Sequence, residues 1–226
     1  MRKREPEILY EDAYLIVCVK PAGMATQTAR PGEADVVSFC RNRRAAQGEE
    51  PYIGLVHRLD QPVEGILVLA KDRETAAGLS RSMQTDRWKK EYCAGVRGIP
   101  EQQQGTLTDW LKKEPKGNCS GVVPQGTPGA KKAVLSYQVM ETDEKNERAL
   151  LRVILETGRH HQIRVQLSHA GHPLLGDRKY APQPSRASEP VGSLHLCACG
   201  LEFVHPVTGE NMHFSTTPSW RNELYW

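Results

Sequence analysis

In His57-Arg58-Leu59-Asp60-Gln61-Pro62, a single aspartate follows a basic pair and precedes a proline-led turn. A carboxylate beside cations stays ionised at neutral pH and can serve as a nucleophile or base. Further along, Gly158-Arg159-His160-His161-Gln162-Ile163-Arg164 gathers bases and imidazoles ahead of Gly171-His172-Pro173 and Gly176-Asp177. Between the two lies Lys90-Glu91-Tyr92-Cys93-Ala94, with a tyrosine able to stack or to exchange a proton. A carboxylate, a cation and a phenol can together carry nucleophilic or acid–base chemistry.

These residues need elements to hold them. Gly65 opens the apolar run Ile66-Leu67-Val68-Leu69-Ala70, which Lys71-Asp72 stops, so it reads as a buried strand. Pro62 removes a backbone donor and turns Gln61 away from helix. Asp60 is therefore expected in a turn feeding a core strand, where a rigid scaffold presents reactive groups. Ile163, Leu167 and Ala170 fall at helical spacing, and Gly171 and Pro173 stop that helix. Such a helix offers Arg164 on one face while another face packs into the core.

The three segments, in this order, resemble the signature of the RluA-type family of RNA pseudouridine synthases, over a stretch from Ile8 to Phe214. In that family the aspartate of the H-R-L-D motif is catalytic, which points to Asp60. Gly158 to Arg164 with the following glycines resembles the family's G-R-T-H-Q-I-R…G-H-P…G-D block. The resemblance implies isomerisation of specific uridines in structured ribosomal or transfer RNA, without cofactor or metal. It implies a long bent antiparallel sheet with the active site in a central cleft. Arg164 would hold Asp60 ionised, and Tyr92 would stack near the base and take the proton from its carbon. Ile163 would pack on the flipped base. Arg58 would hold phosphate or brace the loop, and His57, His161 and Arg159 would contact the RNA. Lys20-Pro21-Ala22-Gly23 matches a K-P-x-G segment that lies beside the family's active site; from the residues alone it is only a turn. Two departures concern substrate fit more than chemistry. Pro62-Val63-Glu64 stands where many relatives carry Thr-Ser, and His160 where they carry Thr.

Rival readings fare worse. A non-catalytic RNA-binding protein on the same fold would not need Asp60, Tyr92 and Arg164 together. A glycosidase-like hydrolase needs two carboxyls facing across a sugar, and Pro62 lies between Asp60 and Glu64. His160, His161, His169 and His172 lack a Cys or acidic companion at metal-ligand spacing.

The 226 residues, 38% hydrophobic and 25% charged, suit a soluble globular chain. A formal net charge of +3 permits nucleic-acid binding without requiring it. No apolar run approaches a membrane span, and the charged start lacks a signal-type apolar segment. The cysteines Cys18, Cys40, Cys93, Cys119, Cys197 and Cys199 form no C-x-x-C pair, so free thiols in a reducing cytoplasm are expected. The sequence predicts one catalytic domain over 1–226, monomeric, with no small RNA-binding module ahead of the first strand.

Strands are predicted over Ile8–Asp12, Tyr14–Val19, Trp88–Val96, Ala133–Val139, Ala149–Leu155, Leu194–Val204 and Glu210–Phe214. Helices are predicted over Val36–Arg44 and Arg73–Gln84. The polar stretch Gly98–Ala130 reads as a short hairpin plus a mobile loop, and Pro182–Gly192 as a linker. Strands outnumber helices, which gives an α+β class: a mixed, mainly antiparallel sheet with peripheral helices. Arg41, Arg43 and Arg44 end a helix and are candidate phosphate contacts, together with Lys131 and Lys132.

Overall fold

The computed structural model describes residues 5–30, 32–181 and 193–222; the linker expected at Pro182–Gly192 lies outside the described residues. In chain order the elements are β1 (Glu7–Glu11), β2 (Leu15–Lys20), α1 (Val36–Ala46), β3 (Gly54–Leu55), β4 (Glu64–Ala70) and α2 (Arg73–Ser82). Then come β5 (Lys89–Arg97), β6 (Gln104–Lys113), β7 (Ser120–Val123), β8 (Lys131–Asp143), β9 (Arg148–Leu155), α3 (Gln162–His169), β10 (Leu196–Val204) and β11 (Asn211–Ser215). Short 3-10 turns follow β8 at Glu144–Asn146 and β11 at Ser219–Asn222. The class is α+β, mostly sheet, as expected.

Two compact units are separable. The first comprises Met1–Lys90 with Cys197–Pro218, the second Glu91–Leu196 with Ser219–Trp226. In the first, β4 is central. It pairs antiparallel with β2 from Leu15↔Ala70 to Lys20↔Gly65, and parallel with β10 at Cys197↔Glu64 and Ala198↔Gly65. β1 extends the sheet beyond β2, and β11 extends it beyond β10. All seven residues of β4 are buried, which explains its unbroken apolar run: a strand covered on both faces has no polar side to alternate. Leu15, Val17, Ile66, Val68, Leu79, Leu201 and Phe203 form the core of this unit. Each such burial contributes about 1.5–3 kcal/mol. Gly65 has φ +127, and a Cβ there would come within 2.4–2.5 Å of the Ala198 backbone. The close approach of β4 to β10 therefore requires glycine.

Asp35 caps α1 by accepting from the Ser38 N–H at 2.7 Å, and Asp72 caps α2 by accepting from Thr75. α1 overturns one expectation. Arg44 is 7% exposed, and its guanidinium donates to Glu49 and to the carbonyls of Tyr52 and Lys71. Arg43 is bonded to Glu11 at 3.0 Å. A buried arginine that joins three chain segments is a structural brace, and Arg44 has no face left for phosphate.

In the second unit β5, β9, β8, β6 and β7 form an antiparallel run. The excursion at Gly98–Ala130 is more regular than predicted. β6 and β7 form a hairpin, and β6 pairs with β8 over eight residues from Gln104↔Gln138 to Leu111↔Lys131. Its polar residues alternate with Leu107 and Leu111, a period that long-range pairing can use but a short window underrates. β8 also runs past the predicted strand end at Val139 to Asp143, across a bulge between Val139 and Glu141. Among the described residues no helix is long and apolar enough to cross a membrane.

Candidate active site

Asp60 is half-buried on a turn leading into β4, closed by the Val63 N–H donating to the Asp60 carbonyl at 3.0 Å. Main-chain bonds fix the turn on both sides. Before it, Thr26 Oγ1 donates to the Leu59 carbonyl at 2.8 Å and accepts the Leu59 N–H at 3.2 Å. After it, the Gly23 N–H donates to the Gln61 carbonyl, and Gln61 Nε2 donates back to the Gly23 carbonyl. The turn Pro21–Met24 therefore lies against the Asp60 turn, and the K-P-x-G segment is a structural neighbour of the carboxylate.

Lys20 was expected only as part of the K-P-x-G turn and not as a site residue. It ends β2 at 0% exposure, and its ammonium donates to the carbonyls of Pro21, Met24 and Gln61 at 3.1, 2.7 and 3.1 Å. Burial pushes the ammonium down to about 8, against the opposing pull of Asp60, Glu64 and Cys18. A cation is thus held within electrostatic reach of Asp60, and three carbonyls meet its three donors. The nearby signal was Lys20-Pro21 itself, a lysine at the end of an apolar strand.

The other residues of the H-R-L-D stretch take different positions. His57 is buried; its Nε2 accepts the Val68 N–H at 3.2 Å, and its ring meets Trp88 edge-on at 5.7 Å. Burial, with Lys90 nearby, pushes it well below the usual imidazole range, so it is a neutral core histidine. Arg58 is exposed, beside Asp60 in the chain, with no ion-pair partner among the described residues.

In the second unit, the Gly158–Arg164 block makes a turn and then α3. His161 caps α3 in the left-handed conformation, φ 55, rare for a residue with a Cβ. Its ring stacks on His160 at 3.8 Å and meets the Tyr180 hydroxyl at 2.6 Å through Nδ1. His160 bridges Ser120 and Asn118. Gln162 fastens the turn: its Oε1 accepts from Thr157 and from the Arg159 N–H, and its Nε2 donates to the Val134 carbonyl. Arg159 is exposed and donates to the Lys132 carbonyl at 2.9 Å. Residues Gln162, Ile163, Arg164, Val165, Gln166 and Leu167 are all buried. α3 is therefore buried along its first six residues, and its last residue, His169, is exposed. Its polar members are tolerated because they are bonded: Gln166 Nε2 reaches Asp109 at 2.8 Å, and Arg164 forms an ion pair with Asp177.

That pair is bidentate. Arg164 Nε donates to Asp177 Oδ2 at 2.8 Å and Nη2 to Oδ1 at 2.7 Å. Burial pushes the Asp177 carboxyl up, but Arg164 and the Lys179 and Tyr180 N–H groups outweigh it and leave it below the usual range. Tyr92 is buried on β5, in register with Val153 of β9. Around one end of the β6–β8 ribbon, Lys112, Lys113, Lys116, Lys131, Lys132, Arg159 and Lys179 are exposed and have no ion-pair partner among the described residues. No group of three or more His, Cys, Asp or Glu among the described residues could hold a metal ion.

The RNA pseudouridylate synthase family model matches residues 14–169. The chain is 33% identical over 207 residues to an uncharacterized RNA pseudouridine synthase of Bacillus subtilis, covering 91% of this chain and 66% of that protein. It is 32% identical over 211 residues to the dual-specificity RNA pseudouridine synthase RluA of Vibrio cholerae, covering 88% and 78%. With the ribosomal large subunit pseudouridine synthase D of Pasteurella multocida it shares 35% over 230 residues, covering 93% and 68%. The chain spans 66% of that Bacillus subtilis relative, just under two thirds, and 65% of a ribosomal large subunit pseudouridine synthase C of Buchnera aphidicola. The human RNA Pseudouridylate Synthase Domain Containing 4 structure shares the fold, with TM-score 0.78 and 24% identity over 95% of this chain and 89% of that one. The match spans the Asp60 turn, Tyr92 and Arg164 alike, and the chain belongs to the RNA pseudouridylate synthase family.

Proposed function

We propose that this chain isomerises uridine to pseudouridine in RNA, with Asp60 as the catalytic carboxylate. The observation that carries the reading is the family match over residues 14–169, which runs through the Asp60, Tyr92 and Arg164 segments. In the reaction the bond between the ribose anomeric carbon and uracil N1 breaks. The base turns, the anomeric carbon bonds to C5, and the C5 proton is lost while N1 regains one. No electrons leave and no donor group enters. Asp60 meets the positive charge developing at the sugar, as nucleophile or as electrostatic partner. The target uridine leaves its stack to reach it. Tyr92 and Arg164 serve in the roles the motif resemblance gives them: the phenol takes the C5 proton, and the guanidinium keeps Asp60 ionised. Ile163 packs on the base, and Arg58 holds phosphate.

The unpaired basic groups of the β6–β8 ribbon support a phosphate-binding role there. Ribosomal RNA is the first substrate to test, because relatives are named for the ribosomal large subunit; transfer RNA is the second. A reducing cytoplasm fits this reading, supported by six free cysteines, and the chain acts there as a monomer with one catalytic domain. The test is incubation of the purified chain with unmodified transcripts of large-subunit ribosomal RNA and, separately, of transfer RNA, followed by chemical mapping of pseudouridine. Site-specific conversion by the parent and none by Asp60→Asn is expected. RNA binding without conversion of any uridine would favour the non-catalytic reading.

A further inference from the structure

The surroundings of Arg164 are more elaborate than a charge at a helix surface requires. Its side chain is 5% exposed and that of Asp177 is 0% exposed. Asp177 cannot swing, because its Oδ1 also accepts the N–H groups of Lys179 and Tyr180 at 2.8 and 3.2 Å. The carboxylate plane is thus set by its own turn before it meets the guanidinium. Tyr180 comes from the same turn, and its ring covers the guanidinium, with the central carbon 5.1 Å from the ring centroid. Tyr180 is anchored in turn. Its hydroxyl accepts the Ser120 N–H at 2.8 Å and meets His161 Nδ1 at 2.6 Å, and its carbonyl accepts from Ser168 Oγ of α3 at 2.6 Å. Gly176 begins the turn at φ +73, where a Cβ would come within 2.3 Å of the Ser193 carbonyl oxygen. One edge and one face of the guanidinium are therefore fixed by groups that are themselves fixed, and its Nη1 side has a set direction.

A buried ion pair is a poor stabilising device, since apolar replacements of similar volume are often as stable or more so. A bidentate fork beneath an aromatic ring, by contrast, fixes orientation to a degree that a point charge cannot. We propose that Asp177, with Tyr180 over the guanidinium, forms a positioning pair that aims Arg164 in uridine isomerisation. The proposal rests on the reading that Arg164 serves the reaction of Asp60.

The experiment compares the parent chain with Asp177→Asn, Asp177→Glu, Arg164→Ala and the Arg164→Ala/Asp177→Asn pair. Each acts in single turnover on a ribosomal RNA transcript that the parent modifies, with half-saturation and melting temperature measured alongside. Asp177→Asn is expected to lower the saturated rate by about 100-fold, the scale of a misplaced catalytic group, at the parent's half-saturation. In the Arg164→Ala background the same change is expected to add nothing, because Asp177 acts only through Arg164. A folded Asp177→Asn variant at the parent's rate overturns the proposal, as does a double variant whose losses multiply. If Asp177→Asn fails to fold, Asp177→Glu keeps the charge and displaces the fork; a slow folded Glu variant supports the proposal, and one at the parent's rate overturns it. Arg164→Ala at the parent's rate removes the reading of Arg164 and the proposal with it. Arg164→Ala inactive beside a fully active Asp177→Asn removes the positioning role alone.

Discussion

The Asp60 turn and the Arg164 seat both hold a charged group, and by different means. Around Asp60 the fixing bonds are mostly to main chain: Val63 to the Asp60 carbonyl, Thr26 to both backbone groups of Leu59, and Lys20 to three carbonyls. Around Arg164 they run from side chain to side chain, through Asp177, with the Tyr180 ring above. A group fixed through main chain tolerates different neighbouring side chains. The bonds that hold the Asp60 turn use no side chain of Pro62 or Val63. A group fixed through side chains loses its position when any one of them changes. Side chains enter the first region through Thr26, Gln61 and Lys20, each bonded to backbone groups.

The largest expected effect lies at the carboxylate. Asp60→Asn keeps shape and removes charge, so the saturated rate should fall by about 1,000-fold or more, while RNA half-saturation stays near the parent's. Single-turnover kinetics decide this, and substantial retained turnover would remove Asp60 from the chemistry.

Arg164→Ala should reveal the side-chain character of the second region in stability as well as rate. It leaves Asp177 buried without its cation, a loss of about 3–5 kcal/mol, readable from urea unfolding. Arg164→Lys restores charge without the fork and should recover only part of both quantities. Full recovery by Lys would mean that the two regions are not held differently after all.

Lys20 separates rate from stability by pH. Its folded pKa of about 8 lies below the ordinary 10.5. Between these values the unfolded chain binds the proton that the folded chain has lost, so the Lys20 contribution to stability rises with pH across that window. The positive charge beside Asp60 is lost over the first part of the same window. Activity should therefore decline as pH rises through about 8 while unfolding becomes harder. Lys20→Met should lack both trends. A parent profile flat in rate from pH 7 to about 9 would show that Lys20 orders the turn and has no electrostatic part.

The smallest effect is expected at the basic ribbon. Changing Lys112, Lys131 and Lys132 together to Gln should reduce the slope of log affinity against log salt by about 3, one for each phosphate no longer neutralised. The saturated rate should stay near the parent's. Arg44→Ala should instead lower the melting temperature at an unchanged salt slope, because Arg44 is a buried brace. A salt slope unmoved by the triple change would place the RNA elsewhere.

Much of the fold was legible locally. Apolar runs between glycine, proline or charged stops placed β2, β4, β9 and β10, and the stop signals Gly171 and Pro173 placed the end of α3, because hydrophobic period and backbone restriction act over a few residues. β6 was underread for the opposite reason: its hydrogen bonds go to β8, far along the chain, and its own window is mostly polar. Within the site, Asp60, Tyr92 and Arg164 came from motif and residue type. Arg44 was misassigned because a basic helix end looks alike whether solvated or buried. Lys20, Asp177 and Tyr180 gained their positions only in three dimensions. What a charge does depends on which carbonyls, carboxylates and rings surround it and how much water they exclude, and chain order carries neither. Local pattern sufficed for most strands, the helix ends and the residue types that bear chemistry. Which cation is buried near Asp60 and which carboxylate grips Arg164 came from the folded chain, since both depend on distant segments meeting in a medium of low polarity.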